Sequence, residues 1–98
     1  AEVPLDVARQ SLQIMRLALR AAELGNVNAI SDAGVGANFA KTAMIGAGYN
    51  VRINLLGMED EQKPAQMLDE IIQLEAQADE LALLLKGLLN ERGGLNLS

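Results

Sequence analysis

Apolar and polar residues recur along the chain with the period of an α-helix in three separate stretches. The first stretch follows Pro4, whose fixed φ suits an early helical position, and it stops at Gly25. Its polar residues are spaced so that one side remains apolar. That side consists of Leu5, Ala8, Leu12, Met15, Leu19 and Ala22. The pattern therefore predicts an amphipathic helix over residues 4–24.

The second stretch ends at Leu55 and differs from the first in having small residues on one side. Ser31 is predicted to cap its N-terminus, because a serine hydroxyl accepts an otherwise unpaired N–H, which gives a helix over 31–55. Asn26 and Asn28 are expected to shape the turn before it. At about 100° per residue, one stripe contains Asn38, Lys41, Thr42, Ile45, Tyr49 and Arg52, and the opposite side contains Gly36, Ala40, Ala43 and Ala47. Such a bare side lets another helix come close.

The third stretch begins near Pro64, after the acidic turn GMEDEQK. Apolar residues then recur in steps of four and three from Met67 to Leu88, which is the pattern of a helix with one broad apolar stripe. Two glycines at 93 and 94 are expected to end this helix, whose predicted range is 64–91. The last four residues are expected to fray.

The predicted fold class is all-α, with long helices in a bundle, about three of them in one domain over residues 1–98. The second helix has almost no side without small residues or polar groups that need partners. A chain of 98 residues also buries a fraction of its surface on folding that is near the lower limit for a stable domain. We therefore expect something else to cover this helix: a second copy, a second polypeptide, or an N-terminal half.

The amino-acid composition of the chain argues against several classes of protein. The chain has no cysteine and no histidine, which argues against zinc enzymes and triad hydrolases. Its net charge of −5 disfavours nucleic acid as a partner. The longest uncharged run, residues 42–51, is too short to span a bilayer, and the chain does not open with a signal sequence. These features indicate a cytoplasmic protein.

Three motifs resemble the cyclodeaminase/cyclohydrolase family. They are VPL opening the first helix, GN followed by SDAGV, and YNVRINL followed by an acidic turn. The similarity is to the second half of the domain that forms the C-terminal part of formiminotransferase-cyclodeaminase. The same domain occurs as formimidoyltetrahydrofolate cyclodeaminases and methenyltetrahydrofolate cyclohydrolases.

The resemblance implies an all-helical, intertwined homodimer that acts on the one-carbon unit of a tetrahydrofolate derivative. The folate is the substrate, and no permanently bound cofactor or metal is implied. The family's glycine-rich entry segment and the helix that bears a catalytic aspartate would precede Ala1. We therefore expect a C-terminal fragment, or one of two pieces, that is weakly active or inactive alone.

Two basic residues are candidate folate ligands. Arg52 and Lys41 share one stripe three turns apart and could hold the glutamate carboxylates of a folate, since an arginine fork binds carboxylate in a bidentate manner and a lysine adds a point charge. The alternative is that each pairs with an acid on a neighbouring helix.

Four further residues are candidates for the site. Asn50 and Asn54 could orient the pterin ring or a water molecule, or they could bond across a tight helix crossing. Tyr49 could stack on the pterin or simply pack. Asp32 could be an acid or base, although an aspartate in a first helical turn also stabilises the helix dipole.

The competing class is non-catalytic. The apolar stripe of the third helix and the small-residue side of the second are also typical of a helical oligomerisation module, with Lys41 and Arg52 in inter-subunit ion pairs. A reduced folate distinguishes the two classes, because only a folate enzyme would be stabilised by it.

Overall fold

The computed structural model describes residues 2–58 and 62–98 and forms three α-helices. These are α1 (Glu2–Leu24), α2 (Val27–Leu55) and α3 (Gln62–Gly93). The prediction of an all-α bundle is confirmed. The bundle is 50 Å long, as expected from the 32 residues of α3 at about 1.5 Å per residue. The three acidic residues of the turn predicted before α3, Glu59, Asp60 and Glu61, lie outside the described residues.

The turn between α1 and α2 is shorter than predicted. α2 begins at Val27 because the side chain of Asn26 accepts a hydrogen bond from a first-turn N–H at 3.0 Å and caps the helix. The predicted cap at Ser31 is therefore wrong, and Asn28 lies inside the helix. Ile30 is only 2% exposed and packs with residues of α1 and α3. Its burial favours a helix that already includes this position.

The chain after α3 is fastened to the helix instead of fraying. Gly94 adopts a φ of 64°, a left-handed conformation that glycine reaches without side-chain strain. The Asn90 side chain accepts a hydrogen bond from the Leu97 N–H at 2.6 Å and donates one to the Leu97 carbonyl at 3.1 Å. The last described residues are thus held against the end of α3.

All three helices contribute to the core, which consists of two adjoining clusters. The larger contains Leu5, Ala8, Leu12, Met15, Ala40, Met44, Ala47, Val51, Met67, Ile71, Leu74 and Ala78. The smaller, next to the α1–α2 turn, contains Ala18, Ala22, Ile30, Ala33, Ala37, Leu85 and Leu89. Most of the core residues that come from α1 and α3 belong to the apolar stripes predicted for these two helices.

The small-residue side predicted for α2 is divided in the structure. Ala40 and Ala47 are buried in the core, whereas Ala43 is exposed. Gly36 is half-buried, and no described atom lies within 4 Å of where its Cβ would be. Part of the predicted packing surface is therefore used within this chain, and part is uncovered.

Exposed apolar side chains form a second surface on α1 and α2. We call it the α1–α2 face; it consists of Val3, Val7, Ile14, Leu17 and Leu24 of α1 and Val35, Phe39 and Ile53 of α2. Arg9 of α1 and Arg52 of α2 bond to α3. At about 100° per residue, most of the α1–α2 face then projects away from the sides of α1 and α2 that contact α3, and Leu24, about 60° from Arg9, lies at its edge.

Candidate functional site

A bidentate ion pair joins α2 to α3 through Arg52. Its guanidinium donates two parallel hydrogen bonds to the Glu75 carboxylate, from Nη1 to Oε2 at 2.8 Å and from Nη2 to Oε1 at 2.7 Å. Nη1 also donates to the carbonyl of Gly48 at 3.2 Å. The fork of a guanidinium matches a carboxylate in this geometry, so α3 fixes the orientation of Arg52.

Gly48 lies directly beside this ion pair. A Cβ at this position would collide with a carboxylate oxygen of Glu75 and would lie 2.9 Å from Nη1 of Arg52. A larger residue at this position would displace the ends of the Glu75 and Arg52 side chains from the geometry described here. Gly48 is one helical turn before Arg52, and this spacing is a signal that sequence reasoning did not use.

Lys41 forms a looser contact with α3. Its Nζ lies 3.5 Å from Oδ1 of Asp79, whose side chain is 71% exposed. Exposed pairs of this kind contribute little to stability, because water and salt screen them. Lys41 and Arg52 lie on the same side of α2, about 16 Å apart along its axis. The structure therefore gives each a separate acidic partner and does not bring the two together.

Arg9 of α1 forms a second bidentate pair with α3. Its Nε and Nη2 donate to the Glu70 carboxylate at 2.6 and 2.8 Å. These hydrogen bonds lower the pKa of Glu70, and those from Arg52 lower the pKa of Glu75, because both favour the charged carboxylate.

The lowered pKa values predict a stability that falls in acid. A carboxylate with a lower pKa in the folded than in the unfolded chain stabilises the fold above its unfolded pKa, here 4.5, and this contribution disappears as the pH falls through the folded pKa. Urea unfolding should therefore show a nearly constant free energy of unfolding down to about pH 4.5 and a decline below it.

Two variants test whether the ion pairs cause this decline. In the Glu70→Gln/Glu75→Gln variant, the free energy of unfolding should fall less below pH 4.5. A control variant with Glu80→Gln and Glu91→Gln, both exposed, should behave like wild type; identical slopes for all three proteins would refute the role of the pairs.

A cleft of about 580 Å³ opens between α2 and α3, next to the Lys41–Asp79 pair. Its apolar lining includes Met15, Gly34, Ala37, Ala82, Leu83, Leu85, Leu89 and Leu97. Gly34 lets α3 come close at the floor of the cleft, since a Cβ at this position would lie 3.1 Å from a Cδ of Leu89. Lys41 and Lys86 bring two positive charges to the lining, one from each helix.

The structure separates the predicted site residues. Of the six candidates, Lys41 lines the cleft, and Arg52 bonds to Glu75. The other four are exposed on α2 and do not line the cleft: Asp32, Tyr49, Asn50 and Asn54. Tyr49 is 64% exposed. Lys86 was missed, although a lone lysine in the leucine-rich run 81–89 was an available signal.

Within residues 2–58 and 62–98, no group of three or more acidic side chains is arranged to hold a metal ion. In the same part of the chain, no helix is both long enough and apolar enough to cross a membrane.

The fold and the cleft define an all-helical protein with a small-molecule-sized cavity, and comparison with known proteins identifies its family. The family model described as formiminotransferase-cyclodeaminase matches residues 1–73. The chain belongs to this family, which confirms the predicted resemblance.

Two relatives match most of the chain. The methenyltetrahydrofolate cyclohydrolase of Methylorubrum extorquens is 37% identical over 91 residues, which cover 93% of this chain and 40% of that protein. The formimidoyltransferase-cyclodeaminase of Rattus norvegicus is 33% identical over 90 residues, which cover 92% of this chain and 17% of that protein. The chain thus spans less than half the length of either relative. No solved structure gave a significant match.

Proposed function

We propose that this chain is part of a folate one-carbon enzyme, either a formimidoyltetrahydrofolate cyclodeaminase or a methenyltetrahydrofolate cyclohydrolase. The observation that carries the proposal is the family match over residues 1–73, supported by relatives named for these two activities. The substrate is a tetrahydrofolate derivative, with no permanently bound cofactor. The folate metabolism of the relatives supports a cytoplasmic location.

Both reactions occur at an amidinium-like carbon of the folate. A cyclodeaminase closes the formimino group onto the neighbouring folate nitrogen and releases ammonia, and a cyclohydrolase adds water to the methenyl bridge and opens it to the formyl form. Neutral amides such as those of Asn50 and Asn54 can orient the ring or the attacking water without a change of charge. Tyr49 can donate a hydrogen bond from its hydroxyl, and Asp32 can accept or release a proton. These four side chains are exposed on α2, so a substrate can reach them.

Arg52 is a restricted candidate for substrate binding. Its three hydrogen bonds to Glu75 and Gly48 use three of the five N–H donors of a guanidinium. Two donors remain for a substrate carboxylate. Lys41 is less restricted, because its contact with Asp79 is long and exposed.

The uncovered α1–α2 face supports an assembly larger than one chain. Phe39 is 74% exposed and Leu17 is 68% exposed, and contiguous apolar surface of this kind marks an interaction site. We propose that a second copy of the chain covers this face in a homo-oligomer, or that the remaining part of the enzyme does so. At about 100° per residue, Asn50 and Asn54 lie on the same side of α2 as Phe39, so the cover would approach these two folate candidates.

The same face favours a second candidate function. An uncovered apolar surface on two helices is also what a non-catalytic helical oligomerisation module would present. The two candidates differ in whether a folate binds, since a scaffold has no affinity for it.

An exchange of segments tests the proposed reaction. In the Methylorubrum extorquens cyclohydrolase, this chain would replace the matched segment of 91 residues. We expect the chimaera to open the methenyl bridge faster than the uncatalysed reaction, because the chain supplies the corresponding part of the same fold. The unmodified cyclohydrolase is the positive control, and ammonia release from a formimino folate is measured in parallel.

The chain alone should show no turnover with either substrate. A chimaera that folds, as judged by its helix content, and has neither activity would contradict the proposed function. Full turnover by the isolated chain would contradict the need for a further part.

A further inference from the structure

We infer that the cleft between α2 and α3 binds the aminobenzoyl-glutamate portion of the folate, with Lys41 and Lys86 holding its carboxylates. The inference rests on the proposed function and assigns one part of the substrate to one place in the fold.

The size and lining of the cleft suit the aminobenzoyl ring. Its volume of about 580 Å³ lies within the range of small-molecule sites, roughly 300–1,000 Å³. Gly34 and Ala37 of α2 pack with Leu85 and Leu89 of α3 at the apolar floor of the cleft. A flat aromatic ring that lies on this apolar floor buries one of its faces.

The charges of the cleft suit a carboxylate. The whole chain carries a net charge of −5, yet the cleft lining contains two lysines and one acid. Lys86 is half-buried and forms no ion pair with any described residue. Lys41 is held only by Asp79, at 3.5 Å. Both ammonium groups can therefore bind an incoming carboxylate, and Asp79 competes for one of them.

The polar groups of the cleft do not suit a pterin ring. A pterin carries several donors and acceptors, and each would lose affinity if it were buried without a partner. The uncharged polar side chains that line the cleft are those of Asn38 and Ser98. The carboxylate-bearing end of a folate needs fewer of these partners, so it is the portion that the cleft accommodates.

An NMR titration of the 98-residue chain tests this assignment. The probe is p-aminobenzoyl-L-glutamate, and a chemically stable reduced folate, 5-formyltetrahydrofolate, is titrated in parallel. Both should shift the backbone amides of Ala37, Leu85 and Leu89. Lys86→Gln should weaken probe binding roughly five- to tenfold, as expected for the loss of one charge-assisted contact, and Lys86→Arg should retain most of it.

Two further variants separate ligand binding from a general effect of charge. Asp79→Asn should tighten probe binding roughly twofold or more, because the competing carboxylate is removed. Lys63→Gln removes an exposed lysine that does not line the cleft, and should leave the dissociation constant unchanged. A purely structural role for the cleft residues would not give opposite effects for Lys86→Gln and Asp79→Asn.

The outcomes distinguish the inference from the proposed function. If the reduced folate binds but shifts only amides on the outward side of α2, such as Asn50 and Asn54, the inference is wrong and the proposed function stands. Probe binding that is insensitive to both Lys86→Gln and Asp79→Asn also overturns the inference. If neither the probe nor the reduced folate binds, the chain has no folate site and both fail.

Discussion

Replacing Ile71 by alanine is expected to lower the free energy of unfolding by about 2–5 kcal/mol, the range measured when a buried isoleucine is truncated. Ile71 is 0% exposed and lies in the larger core cluster, which joins all three helices. Few neighbours can move to fill the space, because close packing on every side resists collapse. A small domain has a total stability of only about 5–15 kcal/mol, so this one change removes a large fraction.

The adjacent residue provides the control. Ile72 is the same residue type in the same helix but is 48% exposed, so Ile72→Ala should cost roughly 1 kcal/mol or less. Urea denaturation followed by far-UV circular dichroism measures both variants at one protein concentration. Equal losses for the two would show that α3 is rotated relative to the packing described here.

Replacing Phe39 by aspartate is expected to dissociate the homo-oligomer that we propose forms through the α1–α2 face. Phe39 is the most exposed large apolar side chain of α2, and it lies near the middle of the α1–α2 face. In isolation the chain can cover this face only with another copy of itself. A charge buried in that contact without a partner would cost several kcal/mol, so the assembly should fall apart at micromolar concentration.

Light scattering coupled to size-exclusion chromatography gives the molar mass of each variant. Wild type and Ala76→Asp, a matched change at an exposed position on α3, should both have the mass of an oligomer, and Phe39→Asp should have that of one chain. A monomeric wild type would contradict self-association through this face.

Helical periodicity predicted the architecture but not the start of α2. Ser31 and Asn26 are both good N-caps, and local sequence does not rank them. What decides is the burial of Ile30 against α1 and α3, a contact between distant parts of the chain. The same reason explains why the small-residue side was only partly right: which alanines are buried depends on where α1 and α3 lie around α2.

For the candidate site, too, the sequence predicted what depends on spacing within one helix and not what depends on contacts between helices. The stripe that carries Lys41 and Arg52 was predicted from spacing within α2, and both side chains do lie on the α3 side. Their partners, Asp79 and Glu75, depend on the register of α3 along α2, which no local pattern specifies. The same register places Lys86 in the lining of the cleft. The roles of Asp32, Tyr49, Asn50 and Asn54 stay predictions.

The measurement that tests the folate assignment most directly is the melting temperature of the chain across a titration with 5-formyltetrahydrofolate. A ligand that binds only the folded state stabilises it by about 2.7 kcal/mol at a hundredfold excess over its Kd, which for a domain of 98 residues corresponds to a rise in Tm of roughly 10 °C or more. We predict a Tm that rises steadily with folate concentration. A Tm that does not change at millimolar folate would contradict the account and would favour the helical oligomerisation module.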